Sequence, residues 1–443
     1  MKVPYMQSET QKIKTLFETQ HFSDSDDKLW EKALELIPRG VQTMSKAPNQ
    51  FVDGVYPKFI DKASGAHVFD RNGIEYIDYA CALGPIILGY NNETVNKAIE
   101  NQLKKGITFS LPSTLELELA KLVHEVVPCA EQVRFAKNGS DATLAAVRIA
   151  RSFTEKEHIA KCGYHGWGDW HAITLREYGV PKVLKNYVHE FEYNNLDSLE
   201  KLLKRGDIAG IIMEAQALTK PAVGFLEGVR ELATKYKAVL IFDEVVTGFR
   251  WALGGAQQYY NVIPDLACIG KAMGNGMPIS AVCGKKEYMQ ELNHIFFSMT
   301  FGGECLSLAA AIETIKILKR KDYSHIWKLG TLLEDGIKWA AQKHNLRVNF
   351  AGSAPRHNLS FPALDKGGYV DASGMNDLFK QEMVKQNILW SNVIYIQFAH
   401  THEDIAKTIV AANEAFKFVS EHTLDVDKVL EGKRSEAIFR KNT

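Results

Sequence analysis

The stretch from Ala238 to Pro278 constrains this chain more than any other. Ala238-Val239-Leu240-Ile241-Phe242 is an unbroken apolar run that closes on two acids, Asp243 and Glu244. A continuous run of that kind predicts a strand buried on both faces of a parallel sheet. A second run, Leu266-Ala267-Cys268-Ile269, closes on Gly270-Lys271 and a glycine-rich turn. In open α/β sheets ligands gather at the carboxyl ends of strands. Two neighbouring strands would therefore present an acid and a lysine to one crevice.

An apolar run followed by Asp-Glu also describes the second motif of nucleotide triphosphatases, but no G-x-x-x-x-G-K-[ST] stretch occurs in the chain to partner it. A lysine after a strand is, taken alone, an ordinary solvated loop residue. The wording around both decides between these readings. Asp-Glu-Val-x-Thr-Gly-Phe-Arg from Asp243, then Pro-Asp-Leu-x-x-x-Gly-Lys-x-x-Gly-x-Gly-Met-Pro from Pro264, resembles the class III aminotransferases of pyridoxal phosphate (PLP) fold type I. Within them it is most similar in wording to the glutamate-1-semialdehyde aminomutases. The resemblance implies an α/β fold with a mostly parallel central sheet flanked by helices, and a small α+β domain built from both chain ends. It also implies that Lys271 forms the Schiff base with PLP and moves the proton, and that Asp243 keeps the pyridine nitrogen protonated. Val245 and Tyr164 would then lie on opposite faces of the cofactor ring.

The 443 residues suffice for more than one domain. The pattern predicts an N-terminal helix and β-meander over 1–91, a large cofactor domain over 92–324, and a C-terminal small domain over 325–443. Residues 1 to about 37 read as polar helix, with Asp24 or Ser25 as its cap before Trp30 and Leu34. Strands are expected at 133–136, 158–161, 210–213 and 281–283 beside the two opening runs. Helices are expected at 115–126, 142–152, 226–236, 306–319, 327–344 and 403–419. Net formal charge is zero, from 53 basic and 53 acidic residues, which gives nucleic acid or an anionic membrane nothing to bind. The opening residues show no apolar signal core, no run approaches the roughly 20 residues of a membrane span, and the six cysteines show no C-x-x-C pair. These features suit a cytoplasmic enzyme.

Three further motifs bear on chemistry. Asn138-Gly139-Ser140-Asp141 sits between a strand and a helix, where free N–H groups make an anion site; a plain capped helix start is the alternative. The resemblance implies that Gly139 and Ser140, with Asp141, cup the cofactor phosphate. Gly163-Tyr164-His165-Gly166-Trp167 places an aromatic at a turn, able to stack on a planar ring, with His165 adding polar contacts. Cys162, His165 and His171 lack zinc spacing, so no metal is expected. In Ser298-Met299-Thr300-Phe301-Gly302-Gly303, the resemblance implies that Thr300 reaches the phosphate of a partner subunit, making a homodimer with shared sites.

On the substrate side the chain departs from the aminomutases. Their Val-Asn-Ser-Pro-Val-Arg stretch reads Val41-Gln42-Thr43-Met44-Ser45-Lys46 here, and their tryptophan before Gly-Pro is Leu83. Lysine offers a point charge where arginine offers a planar fork for carboxylate. Thr43, Lys46, Glu214 and Arg356 are the candidate substrate contacts, although Glu214 is followed by Ala215-Gln216 where the family usually has proline. The expected reaction is transamination between a small-molecule amino donor and a carbonyl acceptor, and a phosphorylated or sugar-like carbonyl compound would suit the altered pocket better than a short amino acid. The alternatives are the intramolecular aminomutase reaction and a non-catalytic binding protein on the same fold.

Overall fold

A computed structural model of the protein describes residues 25–436. The helix expected before residue 25 lies outside the described residues; the part within them spans Asp26–Leu36, with Ser25 at its cap position but making no side-chain capping bond. The chain then forms a meander of β1 (Ile60–Ser64), β2 (His67–Asp70) and β3 (Glu75–Asp78). Seven strands follow: β4 (Gln132–Ala136), β5 (His158–Cys162), β6 (Val188–Glu190), β7 (Ile208–Met213), β8 (Val239–Glu244), β9 (Leu266–Ile269) and β10 (Ser280–Gly284). They make one sheet in the order β4-β10-β9-β8-β7-β5-β6. All neighbours are parallel except β10, which runs antiparallel to both β9 and β4. β6, only three residues long, was not foreseen; Val-His-Glu carries no strand signal.

The continuous apolar runs are explained by burial on both faces. Every residue of β7 and β8 is buried. Leu240 and Phe242 face the helix Phe225–Lys235, packing with Phe225, Leu226 and Val229. Val239 and Ile241 face the helix Gly139–Thr154, packing with Ala142, Ala146 and Ile149. Successive side chains of a strand point to opposite faces, so a strand covered on both sides has no position left for a polar residue until its end.

The two chain ends share a second layer. β13 (Ile388–Leu389) pairs parallel with β3, joining Ile388 to Ile77 and completing a sheet of order β1-β2-β3-β13. A third sheet, β11 (Asn349–Ser353), β12 (Arg356–Ser360) and β14 (Ile394–Tyr395), carries the helices Ser324–Lys343, Ala372–Lys385 and His402–Glu421 nearby. The tail is thus the α+β layer expected, fed from both termini.

Three buried histidines are held neutral. Burial pushes His171 down to about 2, and His357 and His400 down to about 4. Unfolding would return them to an ordinary value near 6.5, so the unfolded chain binds more protons as the pH falls through it. Stability then falls by up to about 1.4 kcal/mol per pH unit for each of them. His67 works the other way: burial opposes its charge, but Glu75 and Asp404 hold it above its ordinary value. Burial also lowers His189, so with four against one the urea midpoint is expected to drop between about pH 7.5 and pH 5.5, and His400→Gln should flatten the drop. A midpoint unchanged over that range would contradict neutral burial.

Candidate active site

Five parallel strands end on one edge of the sheet, and each hands over to a residue singled out in the sequence. β4 leads to Asn138–Asp141, β5 to Gly163–Trp167, β7 to Glu214, and β9 to Lys271, while β8 carries Asp243 as its last residue but one. β10 starts at this edge, and Ser280 Oγ donates to the Asn138 carbonyl at 2.7 Å, tying the antiparallel strand to the first loop.

Asp243 is 5% exposed. Its Oδ1 accepts from the Val245 amide at 3.1 Å, and its Oδ2 lies 2.8 Å from His165 Nδ1. The other ring nitrogen of His165 meets the Cys162 carbonyl at 3.0 Å. Both nitrogens of this buried ring are therefore engaged by protein groups, and the ring holds Asp243 in place. Its own amide donates to His171 Nε2 at 3.1 Å, which needs the neutral His171 described above. Glu244, the second acid, plays a different part. Fully buried, it accepts from Thr247 Oγ1 at 2.7 Å and from the amides of Ala256 and Gln257 at 2.6 and 2.8 Å, shaping the turn after β8. Burial raises its pKa, partly countered by these donors.

The Asn138 loop and the Tyr164 turn are stitched together. Trp167 N donates to Ser140 Oγ at 3.2 Å, and Thr143 Oγ1 donates to the His165 carbonyl at 2.8 Å. Gly166 has φ of +100°, and a Cβ there would lie 2.3 Å from Ser140 Oγ; a Cβ on Gly139 would lie 2.8 Å from Val245 Cγ1. Only glycine lets these segments close up. Asp141 Oδ2 accepts from the Asn138 amide at 2.7 Å, closing the helix start. Tyr164 is half-exposed, and burial, with the charge of Asp243, raises its pKa. Thr300 is exposed at the sheet's rim.

Lys271 sits in the left-handed region with φ of +42°. Such a conformation costs a non-glycine residue about 1–3 kcal/mol and gathers at functional sites. Its amine has no hydrogen bond or ion pair among the described residues. Opposite it runs Cys81-Ala82-Leu83-Gly84, with φ values of +46°, +54°, +74° and +100° in succession. Nothing in those residue types announces a left-handed turn, so sequence reasoning missed it; the backbone is forced there by what packs on it. Arg356 Nη1 pairs with Glu214 Oε2 at 2.8 Å. Burial opposes the Arg356 charge, but Glu214, with Tyr395 and Asp243 beyond, holds its pKa above the ordinary value. Of the four candidate substrate contacts the structure brings these two together. Thr43 and Lys46 are exposed on the N-terminal segment, Lys46 close enough to Asp78 for its charge to be felt there. Ala215 stands where the family usually has proline, and the next residue, Gln216, donates to Ser353 Oγ at 2.9 Å and accepts from Trp251 Nε1 at 3.1 Å.

Residues 51–349 match the family "Aminotransferase class-III". The chain belongs to that family. It is 39% identical over 400 residues to the 3-aminobutyryl-CoA aminotransferase of Cloacimonas acidaminovorans, covering 87% of this chain and 95% of that protein. It is 35% identical over 423 residues to the glutamate-1-semialdehyde 2,1-aminomutase of Desulforamulus reducens, covering 88% and 97%. Among solved structures, the PLP-bearing FumI protein of Sphingopyxis sp. MTA144 superposes with a TM-score of 0.85 at 28% identity, over 91% of this chain and 99% of that one. An omega-transaminase from Sphaerobacter thermophilus shares the fold, with a TM-score of 0.82 at 23% identity over 90% and 98%. The fold is PLP fold type I, and the chain is a PLP-dependent enzyme of the class-III aminotransferases.

The residues of this site fit that cofactor. The start of a 16-residue helix, narrowed by Gly139 and Gly166, suits a phosphate; a buried carboxylate suits a ring nitrogen; an amine without a partner suits a carbonyl carbon. Among the described residues no cluster of His, Cys, Asp and Glu is arranged to hold a metal ion. Gly166→Ala is expected to push Ser140 aside and weaken PLP binding about 10-fold or more, read by fluorescence titration of the apoenzyme. Unchanged affinity would mean that the stitched loops do not form the phosphate seat.

Proposed function

We propose that this protein is an intermolecular aminotransferase that takes the amino group of a 3-aminoacyl thioester and delivers it to a 2-oxo acid, as a cytoplasmic homodimer. The observation that carries this reading is the Arg356–Glu214 ion pair beside Asp243 and Tyr395. A transaminase must admit two unlike substrates to one pocket in turn. With Glu214 on it, Arg356 is neutralised and an uncharged acyl chain fits; a 2-oxo acid brings its own carboxylate and competes with Glu214 for the guanidinium. The departures at Lys46 and Leu83 support a substrate other than a short amino acid. The similarity to a 3-aminobutyryl-CoA aminotransferase supports the acyl thioester.

When bound, PLP supplies an electron sink for the carbanion formed at the amino-bearing carbon. Gly139 and Ser140 would seat its phosphate, Val245 and Tyr164 its ring faces, and Asp243, oriented by His165, its ring nitrogen. Lys271 Nζ would bind the cofactor between turnovers, remove the proton from the amino-bearing carbon, and later return one. Thr300 would complete the phosphate seat of a second copy. Phe296 and Phe301, on either side of Thr300 in sequence, are both 59% exposed or more, apolar side chains that a second copy would cover.

Two measurements test this. Given 3-aminobutyryl-CoA and 2-oxoglutarate or pyruvate, the enzyme should turn over with ping-pong kinetics. Efficient conversion of glutamate-1-semialdehyde to 5-aminolevulinate, with no donor or acceptor added, would favour the aminomutase instead. Arg356→Gln should raise KM for the oxo acid about 10- to 100-fold, the loss of one charge-assisted hydrogen-bonded contact, while changing KM for the thioester much less. Equal effects on both substrates would remove Arg356 from the role of carboxylate anchor.

A further inference from the structure

Arg250, the last residue of the Asp-Glu-Val-Val-Thr-Gly-Phe-Arg motif, is fully buried and no carboxylate among the described residues pairs with it. Its donors go to carbonyls from both ends of the chain. Nη1 donates to Ile396 O at 2.5 Å, and Nη2 donates to Gly84 O at 2.7 Å and to Ile86 O at 2.8 Å. The guanidinium carbon lies 5.2 Å from the centre of the Tyr395 ring, and Nε is buried without a partner. Tyr395 in turn closes on Gly84: a Cβ built on that glycine would meet Tyr395 Cε1 at 3.2 Å and Lys271 Cδ at 3.7 Å. Cys81 Sγ donates to the Tyr395 carbonyl at 3.4 Å, so the left-handed strap and the Tyr395 strand are joined at both ends.

We infer that Arg250 is a positioning residue for Lys271, acting by holding the Cys81–Gly84 strap and Tyr395 as the wall along which the lysine side chain lies. A buried cation without an acid is a costly choice for mere packing. One planar fork nonetheless satisfies three loop carbonyls that no other side chain reaches, and it does so beside the one lysine whose amine must travel between cofactor and substrate carbon. Neither Arg250 nor the strap belongs to the phosphate seat, which is built from the Asn138 and Tyr164 loops. Loosening the wall should therefore slow proton transfer without releasing PLP. The inference rests on the reading of Lys271 as the reacting lysine.

The test uses holoenzyme variants Arg250→Lys and Gly84→Ala. The first removes the fork; the second presses a methyl on the Tyr395 ring and strains the strap at a φ of +100°, while leaving the arginine in place. Both are expected to lower kcat about 10²-fold, the effect of misplacing a reacting group by about an ångström. KM for the amino donor and PLP affinity should stay within about 3-fold of the parent, and borohydride should still fix PLP to the Lys271 peptide. Unchanged kcat in both variants overturns the inference. So does a fall in activity that tracks loss of PLP affinity or of Tm, which would leave Arg250 a structural residue only. Should Arg250→Lys fail to fold, Gly84→Ala decides alone: normal kcat in that variant overturns the inference. Label recovered on a different lysine in the parent enzyme would instead defeat the reading of Lys271 itself.

Discussion

The structure depends on one constraint: a carboxylate sunk at the end of a strand that is buried along its whole length. An acid in that position is expensive unless its neighbours satisfy it. Asp243 has an amide on one oxygen and His165 on the other. To deliver that histidine, the chain must bring the turn after β5 back over the edge of the sheet. To hold the turn there, His165 spends its second nitrogen on the Cys162 carbonyl and its amide on His171. The tight turn at Gly166, the packing of Thr143 under the His165 carbonyl, and the neutral state of His171 all follow from keeping one carboxylate in place.

What the sequence made legible was what physics writes locally. Ala238–Phe242 and Leu266–Ile269 announced two-faced burial because no polar residue interrupts them, and the acid and lysine that end them stand out for the same reason. The Asn138 loop was visible as a glycine-rich helix start. Partnerships across long separations were not visible. Glu214 and Arg356 meet from positions 142 residues apart, and neither residue's surroundings name the other. Asp141 carried two readings, phosphate contact and helix cap, and its bond to the Asn138 amide came into view only with the placed backbone. The left-handed run at Cys81–Leu83 was hidden altogether, because cysteine, alanine and leucine have no preference for that region and adopt it under tertiary pressure.

Thr43 and Lys46 lie on an exposed stretch of the single chain, with Lys46 near enough to Asp78 for its charge to be felt there.

The pairing of β13 with β3 has a consequence for how the molecule is made. Tyr56 donates to the carbonyl of Trp390 across 334 residues, and β3 finds its parallel neighbour only at Ile388, in the final stretch of the 443 residues. On the ribosome, the seven-stranded sheet from β4 to β10 is complete in sequence long before that neighbour has been synthesised. Domains emerge and fold in that order, and contacts of large sequence separation close last. The N-terminal meander is therefore synthesised first and finished last. Through most of translation its edge at β3 stays unpaired, a stage at which strand edges are prone to pair wrongly.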